Sequence, residues 1–139
     1  MGVPSRLRLL LDTHIWIWSL LEPERLSRRV AQRLEDSANE LWLSPISIWE
    51  TLLLAQRGRI QLDVATTHWI EVVLRDFPVR DATLTREVAI VSREVDLRHQ
   101  DPADRFIAAS AIVYELILVT ADERLLRAKK YRTLSNAGH

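Results

Sequence analysis

Two short aliphatic runs, each closed by an aspartate, constrain this chain more than anything else in it: "RLRLLLD" at 6–12 and "LILVTAD" at 116–122. Apolar runs this short and this unbroken predict strands covered on both faces, the condition of a parallel sheet wrapped by helices. "ELWLSP" (40–45) is a third, weaker strand candidate, and a fourth short one is expected near "FPVRDA" (77–82). Between them, helical periodicity marks 25–38, 46–57, 66–77, 83–95 and 103–115, and a Trp-rich helix follows Asp12. "RGR" at 57–59 is the clearest helix stop. Strands alternating with helices give an α/β fold, a three-layer sandwich with a central, mostly parallel β-sheet flanked by helices.

At 139 residues the chain has the length of one domain. We expect residues 1–139 to form one, with about 132–139 as a flexible tail. It has no cysteine, which excludes disulfides, thiolate metal sites and a thiol nucleophile, and suits a reducing compartment. No stretch is apolar enough to span a bilayer, and the start lacks the apolar core and cleavage site of a signal peptide, so a cytoplasmic location is expected. Acidic and basic residues balance at 19 each, so no global field draws the chain to nucleic acid. All but two of the cations are arginines, however, and the stretch "RLLRAKKYR" (124–132) carries only positive charge. That stretch reads equally as a solvated terminal helix or as a phosphate-binding element.

In an open parallel sheet the residues just past the strand ends converge on one crevice. Asp12 and Asp122 occupy that place. Glu50 lies on the helix after the third strand candidate, which Ser44 can cap with Pro45 at its first position, and its side chain leans back toward the same edge. In "HQDPADRFIAASA" (99–111), Asp101 reads as an N-cap and Pro102 as the first helical residue. Asp104 is then in the first turn, in line with the small Ala108 and Ala111. Taken singly, Asp12, Asp122 and Asp104 have ordinary explanations as caps or as partners of a helix dipole. Glu50 has none, because its neighbours are apolar and a lone buried carboxylate is costly.

Together the four acids point to a cation. Two carboxylates about 5 Å apart repel by roughly 3 kcal/mol at an effective dielectric of 20, so a set of four raises its own pKa values unless positive charge sits among them. With oxygen ligands, no Cys and no His pair at helical spacing, Mg²⁺ or Mn²⁺ is favoured over Zn²⁺. Such sites hydrolyse phosphodiesters.

At these residues the sequence resembles the PIN domain family of metal-dependent ribonucleases, and within it the VapC toxins of toxin-antitoxin pairs. "LLLDTHIWIW", "LSPISIWE", "DPADRFIAASA" and "ILVTADERL" follow the family's four acidic motifs in order, over nearly the whole chain. The resemblance implies that Asp12, Glu50, Asp104 and Asp122 form a catalytic, metal-binding pocket. Asp12 and Asp104 would be direct ligands, Glu50 would hold or deprotonate a metal-bound water, and Asp122 would bind metal directly or through water. It further implies that Thr13, Ser47 and Thr120 assist, although hydroxyls at helix starts usually just cap. Arg105 would hold a phosphate or pair with a neighbouring acid. The implied reaction is hydrolysis of single-stranded RNA to a 5′-phosphate and a 3′-hydroxyl. The implied partners are a second copy of the chain in a homodimer and an antitoxin that inserts an Arg or Lys into the acidic pocket.

Five tryptophans, at 16, 18, 42, 49 and 69, are many for this length. Trp16 and Trp49 are expected in the core, and exposed ones would serve a dimer, an antitoxin groove or base stacking. A phospho-acceptor signalling domain, the competing class, needs paired acids after the first strand and a Lys after the last. Asp12 is flanked by Leu11 and Thr13, and "LVTADERL" has no Lys. A non-catalytic PIN-like module that binds RNA or protein would be expected to lack one of the acids, and all four are present. Nothing in the residues selects transfer, ribosomal or messenger RNA, or excludes DNA.

Overall fold

The aliphatic runs become the middle of the sheet because both of their faces can be covered. The computed structural model describes residues 6–98 and 100–137. Its sheet has five strands, all parallel: β1 (Arg8–Leu11), β2 (Glu40–Leu43), β3 (Arg80–Asp81), β4 (Ile117–Thr120) and β5 (Thr133–Ser135), in the order β3-β2-β1-β4-β5. β1 lies at the centre, with Leu9 opposite Leu41 on one side and Ile117 on the other.

The two-residue alternation of a strand divides the core in two. Leu9, Leu11 and Val119 face the layer made by α1 (Thr13–Leu21), α2 (Arg28–Glu35) and α4 (Thr66–Asp76), where Ile15, Trp16, Val30 and Val73 bury. Leu10 and Leu118 face the other layer, built from α6 (Pro102–Val113), α7 (Glu123–Arg127) and the turn that leaves α5 (Arg86–Glu94), with Ile107, Ala108, Ala111, Leu125, Val95 and Leu97. This is the expected three-layer α/β sandwich. α3 (Pro45–Gln56) runs along the sheet end and touches both layers, Ile48 and Leu54 one and Ile46 the other. It stops at Gly58, whose φ of +70° lets the chain turn back at little steric cost.

Three expectations need correcting. The tail expected from residue 132 carries β5 at 133–135: Leu134 is buried and the strand pairs with β4, because β4 would otherwise expose a row of unpaired backbone groups. Residues 138 and 139 of that tail lie outside the described residues. The basic stretch 124–132 is not one helix, since α7 ends at Arg127. Trp16 is core, as expected, but Trp49 is half exposed. α3 buries Ser47 and Thr51 instead, small hydroxyl residues one turn apart, which lets it lie against α1 closely enough for Thr13 Oγ1 to reach Ser47 Oγ at 2.8 Å.

A buried arginine braces the second layer. Arg105 Nε donates to the carbonyl of Ser92 at 2.9 Å, and its terminal nitrogens reach those of Leu97 and Val95 at 3.0 Å and Arg93 at 3.4 Å. Its charge thereby meets the negative end of α5 and fixes the 95–98 turn. If β5 is integral to the sheet, Leu134→Ala should cost about 2 kcal/mol in urea denaturation, at the low end for a buried leucine because β5 is an edge strand. A loss under 0.5 kcal/mol, on the order of an ordinary surface substitution, would return this segment to the status of a tail.

Candidate acidic site

Each acid reaches the C-terminal edge of the sheet by an identifiable local rule. Asp12 ends β1 and caps α1, Oδ1 accepting from the Thr13 amide at 2.8 Å. Asp122 follows β4 and caps α7, Oδ1 accepting from the Arg124 amide at 2.8 Å. Asp101 caps α6 ahead of Pro102, accepting from the Ala103 amide at 3.0 Å, and so sets Asp104 in the first turn. Ser44 caps α3, with Pro45 in first place, and brings Glu50 round to the same edge. The capping role and the site role therefore coexist in Asp12 and Asp122. A carboxylate has several lone pairs, and a cap uses one.

The four acids line one open pocket of about 530 Å³, and Asp101 and Glu22 line it as a fifth and a sixth. Arg25, Arg59 and Arg124 contribute positive charge to its walls, and the indole of Trp18 and the ring of His14 line it as well. Arg25 stacks on Trp18, 4.2 Å from the ring centroid, a cation-π contact at the rim. Arg124 is bonded to Asp122 at 3.1 Å and lies 3.8 Å from Asp104. Sequence reasoning placed Arg124 only in a basic stretch. Its position two residues after Asp122, at the start of a helix rooted on the pocket edge, is the signal that locates it.

The expected helpers sit elsewhere. Thr13, Ser47, Thr120 and Arg105 are all buried, and none lines the pocket. Thr120 Oγ1 donates to Asp12 Oδ2 at 2.6 Å and accepts from the Asp122 amide at 3.0 Å, so it joins two of the acids from beneath. Thr13 and Ser47 bond each other under Glu50. Arg105 braces the 95–98 turn. These four residues position the site and are not placed to touch a substrate.

Electrostatics show a site short of positive charge. Burial raises the Asp12 carboxyl above its ordinary range, with the Thr120 and Thr13 hydrogen bonds opposing. Burial, then the charges of Asp12 and Asp101, raise Glu50, while a bond from Thr13 opposes. Asp104 is pushed up to about 8, first by burial and then by the charges of Asp12, Asp101, Asp122 and Glu50. Among the described residues, no three carboxylates or imidazoles close on one point tightly enough to hold an ion by themselves.

Comparison with known proteins finds the same arrangement of chain. Residues 9–131 match the PIN domain. Ribonuclease VapC22 of Mycobacterium tuberculosis is 38% identical over 118 residues, covering 84% of this chain and 88% of the relative. VapBC2 from Rickettsia felis, solved bound to a DNA fragment from its promoter, superposes with a TM-score of 0.69 at 14% identity, over 93% of this chain and 98% of that one. DNA-bound VapBC from Salmonella typhimurium gives a TM-score of 0.67 at 18% identity with the same coverage.

The raised Asp104 pKa has a definite consequence for stability. The folded state holds a proton that the unfolded chain releases near pH 4, so Asp104's contribution is fully present below that pH and is lost as the pH rises through about 8. In EDTA at pH 8, Asp104→Asn should therefore stabilise the protein by about 1–3 kcal/mol, a figure discounted for the openness of the pocket. The gain should shrink toward zero as the pH falls to about 4 in thermal melts. A destabilised Asn variant at pH 8 would refute this account of the pocket.

Proposed function

The chain belongs to the PIN domain family, and on that premise we propose that it is an endoribonuclease of the VapC kind, the toxin of a toxin-antitoxin pair. The observation that carries the reading is the joint convergence of Asp12, Glu50, Asp104 and Asp122 on one pocket, where burial and then the neighbouring charges push Asp104 up to about 8. A site that strains its own acids in this way fits a divalent cation. Mg²⁺ or Mn²⁺ suits an all-oxygen donor set, and Mg²⁺ commonly takes only one or two carboxylates directly and the rest through water, which fits acids that are gathered but not clenched. Asp12 and Asp104 would hold it, with Asp122 and Glu50 completing the set. When bound, the ion supplies an activated water and charge stabilisation at the cleaved phosphodiester.

The chain's own residues do the remaining work. Thr120 fixes the rotamer of Asp12 and ties it to the Asp122 backbone. Glu50, its carboxyl raised above the ordinary range by burial, is a better proton acceptor than a free glutamate. Arg124, at the pocket wall, is placed to meet the negative charge of a phosphate. The substrate is single-stranded RNA, cut to leave a 5′-phosphate and a 3′-hydroxyl. The same pocket suits an antitoxin that inserts an Arg or Lys among the acids, and exposed Trp49 and Phe77 suit protein contact, in a homodimer or with the antitoxin. We place the protein in the cytoplasm; no helix among the described residues is long and apolar enough to cross a membrane.

A labelled single-stranded RNA incubated with the purified protein should be cut with Mg²⁺ or Mn²⁺ and left whole with EDTA. Asp104→Asn and Glu50→Gln should each lower the rate at least 100-fold while keeping the fold by circular dichroism. An Asp104→Asn protein as active as wild type, or a wild type inert with both metals, would sink the reading.

A further inference from the structure

Beside the acidic pocket lies a second hollow, of about 400 Å³ and opposite in charge. Arg98, Arg124, Arg127, Lys129 and Lys130 line it, against the single acid Asp96. In a chain of zero net charge this is a marked local excess of cations. Internal partners do not account for it. Among the described residues no carboxylate pairs with Arg98, Lys129 or Lys130, and Arg127 has only a 3.9 Å contact with the exposed Glu123. Cations gathered this way repel one another, and an anion relieves the repulsion.

Two further observations show what kind of anion. Arg124 lines both hollows, so they adjoin and share a wall. The far wall is also preset, because Arg98 extends from the 95–98 turn whose Val95 and Leu97 carbonyls are pinned by buried Arg105. A small anion would fill one hollow and leave the relation between them without purpose. A polyanion with regularly spaced charges can instead set one phosphate at the acids and the neighbouring ones among the cations, with the buried Leu97 and half-buried Ala128 offering apolar surface to a sugar or base.

We propose that this basic hollow is a phosphate-binding subsite that holds the RNA backbone on one side of the cleaved bond, with Arg124 as the hinge between the two. This rests on the reading of the chain as a ribonuclease. Lys129 and Lys130 touch none of the acids and lie between α7 and β5, so they contribute affinity and leave the chemistry alone.

The test replaces both lysines, Lys129→Gln with Lys130→Gln, and as a control both exposed arginines of α2 in the opposite layer, Arg28→Gln with Arg29→Gln. Binding of a fluorescent single-stranded RNA to each pair is read by anisotropy across a salt series, in an Asp104→Asn background with Mg²⁺ so that nothing is cut. The lysine pair should weaken binding about tenfold and flatten the slope of log affinity against log salt by about 1.4, the loss of two phosphate contacts. The control pair should change neither. In the background that retains Asp104, the lysine pair should raise KM about tenfold with kcat within twofold of wild type. Unchanged affinity and slope in the lysine pair would overturn the proposal. So would an equal loss in the control pair, which would signal a diffuse field with no site. Weakened binding in the lysine pair alone, together with a wild type that cuts no RNA, would uphold the subsite and overturn the nuclease.

Discussion

The 2.6 Å hydrogen bond from Thr120 to Asp12 is the contact on which the site depends. Both residues stand at the ends of strands that pair directly, in a sheet whose central faces are sealed by helices. A carboxylate there has lost its water, and one oriented hydroxyl replaces part of it. The same hydroxyl receives the Asp122 amide, so β1, β4 and the start of α7 are held in one register at the place where two of the acids emerge. Without it Asp12 would face burial with its helix cap alone.

From that contact outward the site is a balance of deliberate strain and local relief. Helix caps consume one oxygen each from Asp12, Asp101 and Asp122, which orients the carboxylates without neutralising them. Arg124 offsets part of the charge on Asp122 and Asp104. Because that arginine is largely exposed, its pairing is screened and exchangeable, which suits a group that must share the pocket with an incoming phosphate. Arg105, by contrast, is buried among carbonyls and permanently committed. Two arginines of one small region thus divide into a mobile role and a fixed one according to burial.

Much of this was legible in the sequence, and for physical reasons. Unbroken aliphatic runs ending on Asp can hardly be anything but central parallel strands, and "SP" and "DP" announce helix starts that aim the acids. What escaped notice needed long-range information. β5 is three residues with one buried leucine, too short for a period, and exists because β4 offers an edge. Arg105 looked like a phosphate ligand because its sequence neighbour is Asp104, whereas adjacent helical positions point about 100° apart and its carbonyl partners lie 8 to 13 residues upstream. Trp49 looked like core by hydrophobicity alone, but the residues that α3 buries fully are its small hydroxyl residues, Ser47 and Thr51.

The strand order also has a bearing on biosynthesis. β1 is made first, yet its partner β4 begins at residue 117, and the Asp12–Thr120 bond spans 108 residues. Long-range pairings of this kind form late and slowly. A ribosome that has released the first three acids has still made no complete pocket, since β4, Asp122 and β5 follow them in the chain. The acidic pocket therefore comes into being only when strands far apart in the chain have found each other, as a property of the paired sheet and of no local segment.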